Sequence, residues 1–418
     1  MLGVRAAGEE GRRVWVTVRG WVQGASEALG VSLAVIVGRQ GSPAWQALRV
    51  VVVGLLTLGV VLLVRRAGAA VVGALAVALG LLGTVVGVAI GVVHLAKAGL
   101  VLSSVAGLTA LASGLVLLGI GGWQLVRLLP GWWRLVALPV AFLLFQFVLV
   151  PVTPAVAGTN PAPTAVGVRT PAYLDLPFAE VAFTTADGVL LSGWYIPSTN
   201  GAAVAVLHGS GSTRSDVLDQ AAVLARHGYG VLLYDDRGHG RSAGAGMDFG
   251  WWGDLDVAAA VSYLASRADV EPTRIGVLGL SMGGEQAINA AATDHRIRAV
   301  VAEGVQPKLP ADTPRRPPGL EGLTERAVDV ISFATAGLLT DAPTPLPQRQ
   351  AVAALAPRPL LLIAGRGEVP AARALRAVAP STVSLWELPD TPHTTGLARH
   401  RDEWTARVTA FFDSNLSG

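Results

Sequence analysis

The chain has 418 residues, more than one typical domain, and contains no cysteine, which excludes disulfides and thiolate metal sites. Its formal net charge of +3 is unevenly distributed: residues 1 to 168 carry ten arginines and one lysine against three glutamates, net +8, and the remainder carries −5. Because these cations flank apolar runs and form no polar face, they indicate anchoring at a membrane surface and argue against a nucleic-acid module.

Four apolar runs lie in a stretch without any Asp or Glu, between Glu27 and Asp175. The runs cover about 47 to 64, 69 to 93, 98 to 126 and 135 to 152. Each is close to the ~20 residues that cross a bilayer core, and the Arg and Trp residues at their ends are typical of membrane interfaces. We therefore expect an all-α bundle of about four transmembrane helices. A weaker apolar stretch at 28 to 38 leaves a further span open.

We interpret the membrane region as an anchor in a bacterial plasma membrane, because its spans contain no carboxylate that could relay protons. Gly83, Gly87 and Gly91 recur at a spacing of four, which indicates close helix packing within one chain or between two copies, so the oligomeric state stays open. The absence of cations from 135 to 168 favours an extracytoplasmic C-terminal domain, whereas the arginine-rich tail favours the opposite side.

These patterns divide the chain into an N-terminal tail (1–46), a transmembrane region (47–152), a linker (153–176) and a C-terminal domain (177–418). The linker contains Pro154, Pro161 and Pro163 and has no helical or strand periodicity, which is typical of a semi-rigid connection. From residue 177 onward, apolar runs of strand length alternate with helical patterns, which is the signature of an α/β sheet.

In chain order, the C-terminal domain is predicted to begin with a hairpin that turns at Asp187-Gly188. Strands are predicted at 181–185, 189–196, 202–207, 230–234, 275–278, 297–302, 359–364 and 382–388. Helices are predicted at 216–227, 254–267, 282–293 and 401–416. An amphipathic stretch from Leu320 to Leu339 lies within an insertion, 306–357, between the sixth and seventh strands.

Three motifs follow three of the predicted strands. In chain order they are HGSG at 208–211, DRGHGRS at 236–242 and GLSMG at 279–283. Together they resemble the α/β-hydrolase superfamily, in its esterase and acylaminoacyl-peptidase-like branch. The resemblance covers 177–418 and implies a mostly parallel sheet flanked by helices, with the insertion 306–357 as a cap over the site.

Ser281 is the candidate nucleophile, because glycines on both sides of it let the chain turn sharply from strand into helix and expose the hydroxyl. The tetrahedral intermediate of acyl transfer carries an oxyanion, for which we expect the backbone N–H groups of Met282 and Ser210. A phosphate site is not expected, since the P-loop pattern is absent and no lysine lies near the HGSG loop.

A serine hydroxyl needs a base, and the base needs a carboxylate to orient it. The order Ser, acid, His that the resemblance implies leads us to choose His393, in the loop after the last strand. The other candidate bases are His295 and His400. The chosen acid is Glu368, beyond the strand 359–364. The other candidate acids are Glu303 and Asp390.

The sequence therefore predicts a membrane-anchored serine hydrolase that cleaves carboxylic esters, or thioesters or amides, through an acyl-Ser281 intermediate. Alternatives are a serine peptidase of the acylaminoacyl-peptidase type and a catalytically inactive module in a membrane assembly. The expected partners are a small-molecule or lipid-like acyl substrate and a lipid bilayer, without nucleic acid. No cofactor or metal is expected, because the mechanism requires neither.

Overall fold

The computed structural model describes residues 2–37, 43–307, 309–313 and 319–417. It divides into two compact units, Met1–Ala157 and Gly158–Gly418. The predicted cap insertion therefore includes some residues, 308 and 314–318, that lie outside the described part of the chain.

The described part of the N-terminal unit is helical. Its α-helices, the last of which continues to Thr159, are α1 (Leu2–Val37), α2 (Pro43–Arg66), α3 (Ala69–Val86), α4 (Val93–Ala98), α5 (Leu102–Leu128), α6 (Ala137–Leu144) and α7 (Val150–Thr159). Two π-helical segments, Gly87–Val92 and Phe145–Leu149, connect α3 to α4 and α6 to α7. Consequently these pairs continue as longer helices.

Five helical segments in the described residues are long and apolar enough to cross a membrane. They are Trp15–Val37, Gln46–Arg66, Ala69–Ala98, Leu102–Leu128 and Gly131–Thr159. Large apolar side chains also point outward from the unit, as Leu55 and Leu56 do on α2 with exposures of 63% and 65%. Lipid is a favourable environment for such a surface, whereas water is not.

The segment from Trp15 to Val37 lies in the part of the sequence that we described as a tail, so the structure places a long helix there. The sequence pattern does not predict this helix, because polar residues interrupt the apolar run. The structure shows how one of them is accommodated: the Arg19 guanidinium donates hydrogen bonds to the backbone carbonyls of Arg65 and Ala67, at the C-terminal end of α2. Cationic donors are favourable at this end of a helix.

The glycines of the third span are used for packing inside the chain. A Cβ added at Gly83 would lie 2.8 Å from the carbonyl oxygen of Ala110, and one added at Gly91 would lie 2.5 Å from the carbonyl carbon of Gly107. Helix α5 therefore approaches this face so closely that only glycine fits there.

The C-terminal unit is built on an eight-stranded, mostly parallel sheet. Its strands are β1 (Ala179–Thr184), β2 (Leu190–Ile196), β3 (Ala203–Leu207), β4 (Gly230–Tyr234), β5 (Ile275–Leu280), β6 (Ile297–Glu303), β7 (Leu360–Ala364) and β8 (Val383–Glu387). The order across the sheet is β1-β2-β4-β3-β5-β6-β7-β8, in which β1 pairs antiparallel with β2 and β2 antiparallel with β4. The remaining pairs are parallel. Strands β3, β4, β5 and β7 are buried along their whole length, as their unbroken apolar sequences predict for strands covered on both faces.

Eight helices of the C-terminal unit lie in its described residues. They are α8 (Leu218–Arg226), α9 (Gly253–Ala265), α10 (Met282–Thr293), α11 (Leu320–Leu339), α12 (Gln348–Leu355), α13 (Val369–Arg376), α14 (Gly396–Arg399) and α15 (Arg401–Leu416). Helices α12, α13 and α14 are not predicted by the sequence patterns. These helices have only four to eight residues, too few to show a clear apolar period.

The predicted linker is helical up to Thr159, and its later part is bonded to the C-terminal unit. The Gly167 N–H donates to the Ser215 hydroxyl at 2.8 Å, and Arg169 pairs with Asp219 at 3.1 Å. Proline content alone predicted a semi-rigid connection. In the structure, the first part of this segment is helical and its later residues hydrogen-bond to the domain, and the proline content indicated neither feature.

Candidate active site

Ser281 occupies a sharp turn between β5 and α10. Its backbone has φ 53° and ψ −119°, a strained conformation for a residue other than glycine. A Cβ added at Gly279 would lie 2.1 Å from the carbonyl oxygen of Gly283, and one added at Gly283 would lie 2.7 Å from the carbonyl oxygen of His208. Both glycines of the GLSMG motif are therefore required by close backbone approach, and the turn leaves the Ser281 side chain at the end of the strand.

The structure brings Ser281, His393 and Glu368 into one chain of hydrogen bonds. His393 Nε2 lies 2.9 Å from Ser281 Oγ, and His393 Nδ1 bonds Oε1 of Glu368. In a neutral imidazole, Nδ1–H then donates to the carboxylate, and Nε2 accepts the hydroxyl proton of Ser281. All three side chains come from segments that follow strands of the parallel sheet, β5, β7 and β8, so its topology gathers them at one edge.

The electrostatic surroundings of the two partners differ. Glu368 is 3% exposed, and its Oε2 accepts the N–H of Gly365 at 2.6 Å, so the carboxylate is fixed. The His393 side chain is 46% exposed. The hydrogen bond to Glu368 raises the pKa of the His393 imidazole above its ordinary value of 6.5, against the opposing effect of partial burial. The carboxylate thus favours the protonated imidazole that forms when a base accepts a proton.

The carboxylates of the other candidate acids are not bonded to His393 in the structure. Both oxygens of Glu303 accept other donors, Oε1 the N–H of Gly396 at 2.8 Å and Oε2 the indole N–H of Trp404 at 2.9 Å. Burial raises the pKa of Glu303. Asp390 is exposed, and its backbone carbonyl accepts from Arg366. Glu368 therefore differs from both alternatives in that its carboxylate bonds His393.

The rival bases are also separated from Ser281. His400 bonds the Thr391 hydroxyl through Nε2 at 2.7 Å, and its ring packs against Trp386. His295 is exposed in the turn between α10 and β6.

The two amides expected to bind the oxyanion belong to Met282, which follows the nucleophile, and to Ser210, in the loop after β3. Met282 is the first residue of α10, so its N–H has no partner in the helix. The loop after β3 is adjacent, since a Cβ added at Gly209 would lie 3.4 Å from the Ser281 Cβ. Within the described residues, neither the Ser210 amide nor the Met282 amide donates to another backbone carbonyl outside helices and strands. Both can therefore donate to an oxyanion.

His208, the first residue of the HGSG loop, is fully buried and bonded to backbone only. Its Nε2 accepts the N–H of Asp236 at 3.0 Å, and its Nδ1 donates to the carbonyl of Gly209 at 2.8 Å. Burial lowers the pKa of His208 to about 4, so the ring is neutral. His208 therefore fixes the loop and is not positioned as a base toward Ser281.

Asp248 supports the HGSG loop, a contact that the sequence did not indicate. Its Oδ1 accepts the N–H of Gly211 at 2.9 Å and the Nε2–H of His239 at 3.0 Å. Burial disfavours the charged form of His239, but the bond to Asp248 raises its pKa overall. Asp248 thereby fixes the peptide that follows Ser210. The sequence carries no signal for it, because it lies outside every motif.

The DRGHGRS motif is a structural turn. Arg237 donates to the carboxylates of Asp256 and Asp187, at 2.7 Å in each case. No three His, Asp or Glu side chains are grouped as a metal site requires, among the residues that the structure describes.

The chain is similar to several known proteins. The family described as serine aminopeptidase, S33, matches residues 198–351. An esterase of Pyrococcus furiosus has 27% sequence identity and a TM-score of 0.51, and the match covers 62% of this chain and 98% of the esterase. An uncharacterized protein of Mycobacterium tuberculosis is 37% identical over 115 residues, which are 27% of this chain and 40% of the relative. The thiohydrolase aneE of Aspergillus aculeatus is 33% identical over 134 residues, 30% of this chain and 41% of the relative.

The chain thus spans about 40% of the length of the two curated relatives, whereas the structural match takes in nearly all of the esterase. The strand order, the turn at Ser281 and these similarities agree with the fold that the three motifs predicted. The C-terminal unit is an α/β-hydrolase domain, in a chain whose N-terminal helices are long and apolar enough to cross a membrane.

Proposed function

We propose that the chain is a membrane-anchored serine hydrolase that cleaves carboxylic esters through an acyl-Ser281 intermediate. The observation that carries this proposal is the hydrogen-bonded chain from Ser281 through His393 to the buried carboxylate of Glu368. Nucleophilic acyl transfer requires a hydroxyl, a base and an orienting carboxylate linked in this order, which supports the proposal.

In the first half of the proposed reaction, His393 Nε2 accepts the proton of the Ser281 hydroxyl as Oγ attacks the carbonyl carbon of the ester. The imidazolium that forms is stabilised by Glu368, whose carboxylate accepts the Nδ1–H. The negative charge that develops on the carbonyl oxygen is stabilised by the amides of Met282 and Ser210. Collapse of the tetrahedral intermediate breaks the ester C–O bond, and His393 gives its proton to the leaving alcohol.

In the second half, a water molecule takes the place of the alcohol. His393 accepts one proton from this water, and the resulting hydroxide attacks the acyl carbon on Ser281. The same two amides stabilise the second oxyanion. Release of the carboxylic acid returns the proton to Ser281 Oγ. Because the His393 side chain is 46% exposed, water has access to it in this structure.

Esters are favoured as substrates by the similarity to the Pyrococcus furiosus esterase, which extends over 98% of that protein. Thioesters belong to the same acyl-transfer chemistry, and the Aspergillus aculeatus relative is a thiohydrolase. The second candidate function is that of a serine peptidase, which the description of the matching S33 family favours. We propose that the five apolar helices hold this domain at a bilayer, so that lipid-like acyl compounds are within reach.

The test is hydrolysis by the full chain in detergent or native membranes, with p-nitrophenyl esters of increasing acyl length, matched thioesters and aminoacyl p-nitroanilides. We expect turnover of the esters, which Ser281→Ala removes and Ser266→Ala preserves, since Ser266 lies on the surface after α9. Turnover of the anilides in place of the esters would favour the peptidase. Turnover of esters that survives Ser281→Ala would contradict the proposal.

A further inference from the structure

Helix α11, in the insertion between β6 and β7, has one apolar stripe along its length. An α-helix turns by about 100° per residue, so that positions 3, 7, 10, 14 and 18 residues after the first lie on one face. The residues at these positions, which we call the α11 stripe, are Leu320, Leu323, Ala327, Val330, Ala334 and Leu338. The charged residues of the helix lie outside the stripe.

The α11 stripe is not the face that packs on the domain. The Asp329 carboxylate accepts the Thr313 hydroxyl at 3.2 Å, and the Phe333 ring lies 5.7 Å from the ring of Phe249. The buried residues of the helix, Gly322 and Ala336, lie on this same side. Helical geometry puts all of these positions about 100° or more from the centre of the stripe. The helix therefore rests on the domain through its mixed face and turns its apolar face outward.

Several large side chains of the stripe are exposed. Leu320, Leu323 and Leu338 have exposures of 81%, 65% and 87%. Nine large hydrophobic side chains are exposed in the described residues of Gly158–Gly418, and four of them belong to the stripe. Single exposed leucines need no explanation, but a contiguous stripe on one helix indicates a contact with an apolar environment.

The position of α11 indicates which environment this is. Phe249, on which Phe333 packs, follows Asp248, and the N–H of Asp248 donates to the carbonyl of Gly158 at 2.6 Å. The chain thus enters this unit at the loop that supports α11. The last candidate membrane span ends at Thr159, one residue after Gly158, so a bilayer that holds this span brings lipid to the same part of the unit.

We propose that the α11 stripe lies in the interfacial layer of the membrane that anchors the chain. This inference rests on the anchoring proposed above, and it places the supporting loop of the Ser281 site at the lipid surface. The charged residues of α11, three carboxylates and one arginine, give it a net charge of −2, so attraction to anionic lipids does not drive the contact. The burial of apolar side chains drives the contact, which therefore also forms on zwitterionic lipid.

The test uses the absence of cysteine from the chain. Leu323→Cys and Leu338→Cys each place one reactive thiol on the stripe, and Glu321→Cys places one on an exposed position of the same helix outside the stripe. Each full-length variant is labelled with a polarity-sensitive fluorophore in phosphatidylcholine nanodiscs, with and without lipids that carry a nitroxide at the top of the acyl chain. We expect blue-shifted emission at the two stripe positions, with quenching by the nitroxide at least about twofold greater than at 321.

Equal emission and equal quenching at all three positions would overturn the proposal. Blue-shifted emission at the stripe positions without quenching by the nitroxide lipids would also overturn the proposal, because the stripe would then be covered by protein. Labelling of Ser281 by a fluorophosphonate on the same nanodiscs reports the hydrolase function separately. Quenched stripe positions with an unreactive Ser281 support the docking and refute the hydrolase. Loss of the unlabelled chain from membranes on alkaline washing refutes the anchoring, and the docking with it.

Discussion

Replacing Glu368 by Gln tests how the carboxylate controls the proton on His393. The Gly365 N–H donates to Oε2 of Glu368, so in Glu368→Gln the amide oxygen keeps this position and the NH₂ group faces His393 Nδ1. Nδ1 must then accept, which moves the imidazole proton to Nε2, the atom that faces Ser281 Oγ. In this tautomer His393 cannot take the serine proton.

The expected loss in kcat is large. A wrong tautomer at the base of a serine hydrolase costs about 10⁴-fold, and this factor corresponds to about 5.5 kcal/mol of transition-state stabilisation. Because Glu368 is 3% exposed, solvent does not replace its carboxylate. Initial rates on a water-soluble p-nitrophenyl ester, together with a circular dichroism spectrum to verify folding, measure the effect.

Glu303→Gln is the matched control, because Glu303 is also 3% exposed and lies at the same edge of the sheet. Both of its oxygens accept N–H donors, so one contact is lost in the variant. We expect a destabilisation of about 1–3 kcal/mol and a kcat within about tenfold of wild type. A large loss of kcat in Glu303→Gln with little loss in Glu368→Gln would refute the assignment of the acid.

Three further predictions concern the same site. Because neutral His393 is the active base and its pKa is raised, kcat/KM should rise with pH through an inflection above 6.5. This inflection should move to lower pH in Glu368→Gln. A flat profile from about pH 5 to about pH 9 would contradict the role of His393. Gly304→Ala should reduce kcat/KM at least about tenfold with the fold intact. The alanine Cβ would lie 3.0 Å from His393 Cε1, at a backbone φ of +77°, and would displace the imidazole. Unchanged kinetics would show that catalysis tolerates this displacement. Asp248→Ala should lower kcat about 10- to 100-fold with little change in KM, because the peptide after Ser210 loses the carboxylate that holds it. Asp248→Asn keeps an acceptor for the Gly211 N–H and should recover part of the loss. Equal kinetics of the two variants would argue against this positioning role.

The fold of the C-terminal unit follows from local patterns in the sequence. Strands such as β3 and β4 are continuous apolar runs bounded by turn residues, and Gly279 is required by a backbone contact with Gly283, four residues further on. Ser281 and His393 could be nominated for the same reason, since each follows a recognisable strand. These signals are short in range, which is why a single sequence displays them.

Other features depend on contacts between distant segments. The sequence favoured Glu368 but left Glu303 open, because both lie at or just after the ends of neighbouring strands, and the distinction arises when Trp404, about one hundred residues further on, donates to Glu303. The segment Trp15–Val37 was not predicted as a membrane span, because it contains polar residues such as Arg19, whose hydrogen-bond partners lie at the end of α2. Periodicity predicted an amphipathic segment at α11, but which of its faces packs on the domain depends on contacts with distant residues such as Phe249, and the structure turns the α11 stripe outward.

The central claim is that Ser281 is a nucleophile activated by its neighbours. Its most direct test is to treat the full chain in membranes with a fluorophosphonate and to locate the adduct by mass spectrometry of the digested protein. The account predicts a single phosphonylated residue, Ser281, a modification that disappears in Ser281→Ala and slows strongly in Glu368→Gln. An unmodified wild-type chain, or an adduct at another serine that persists in Ser281→Ala, would contradict it.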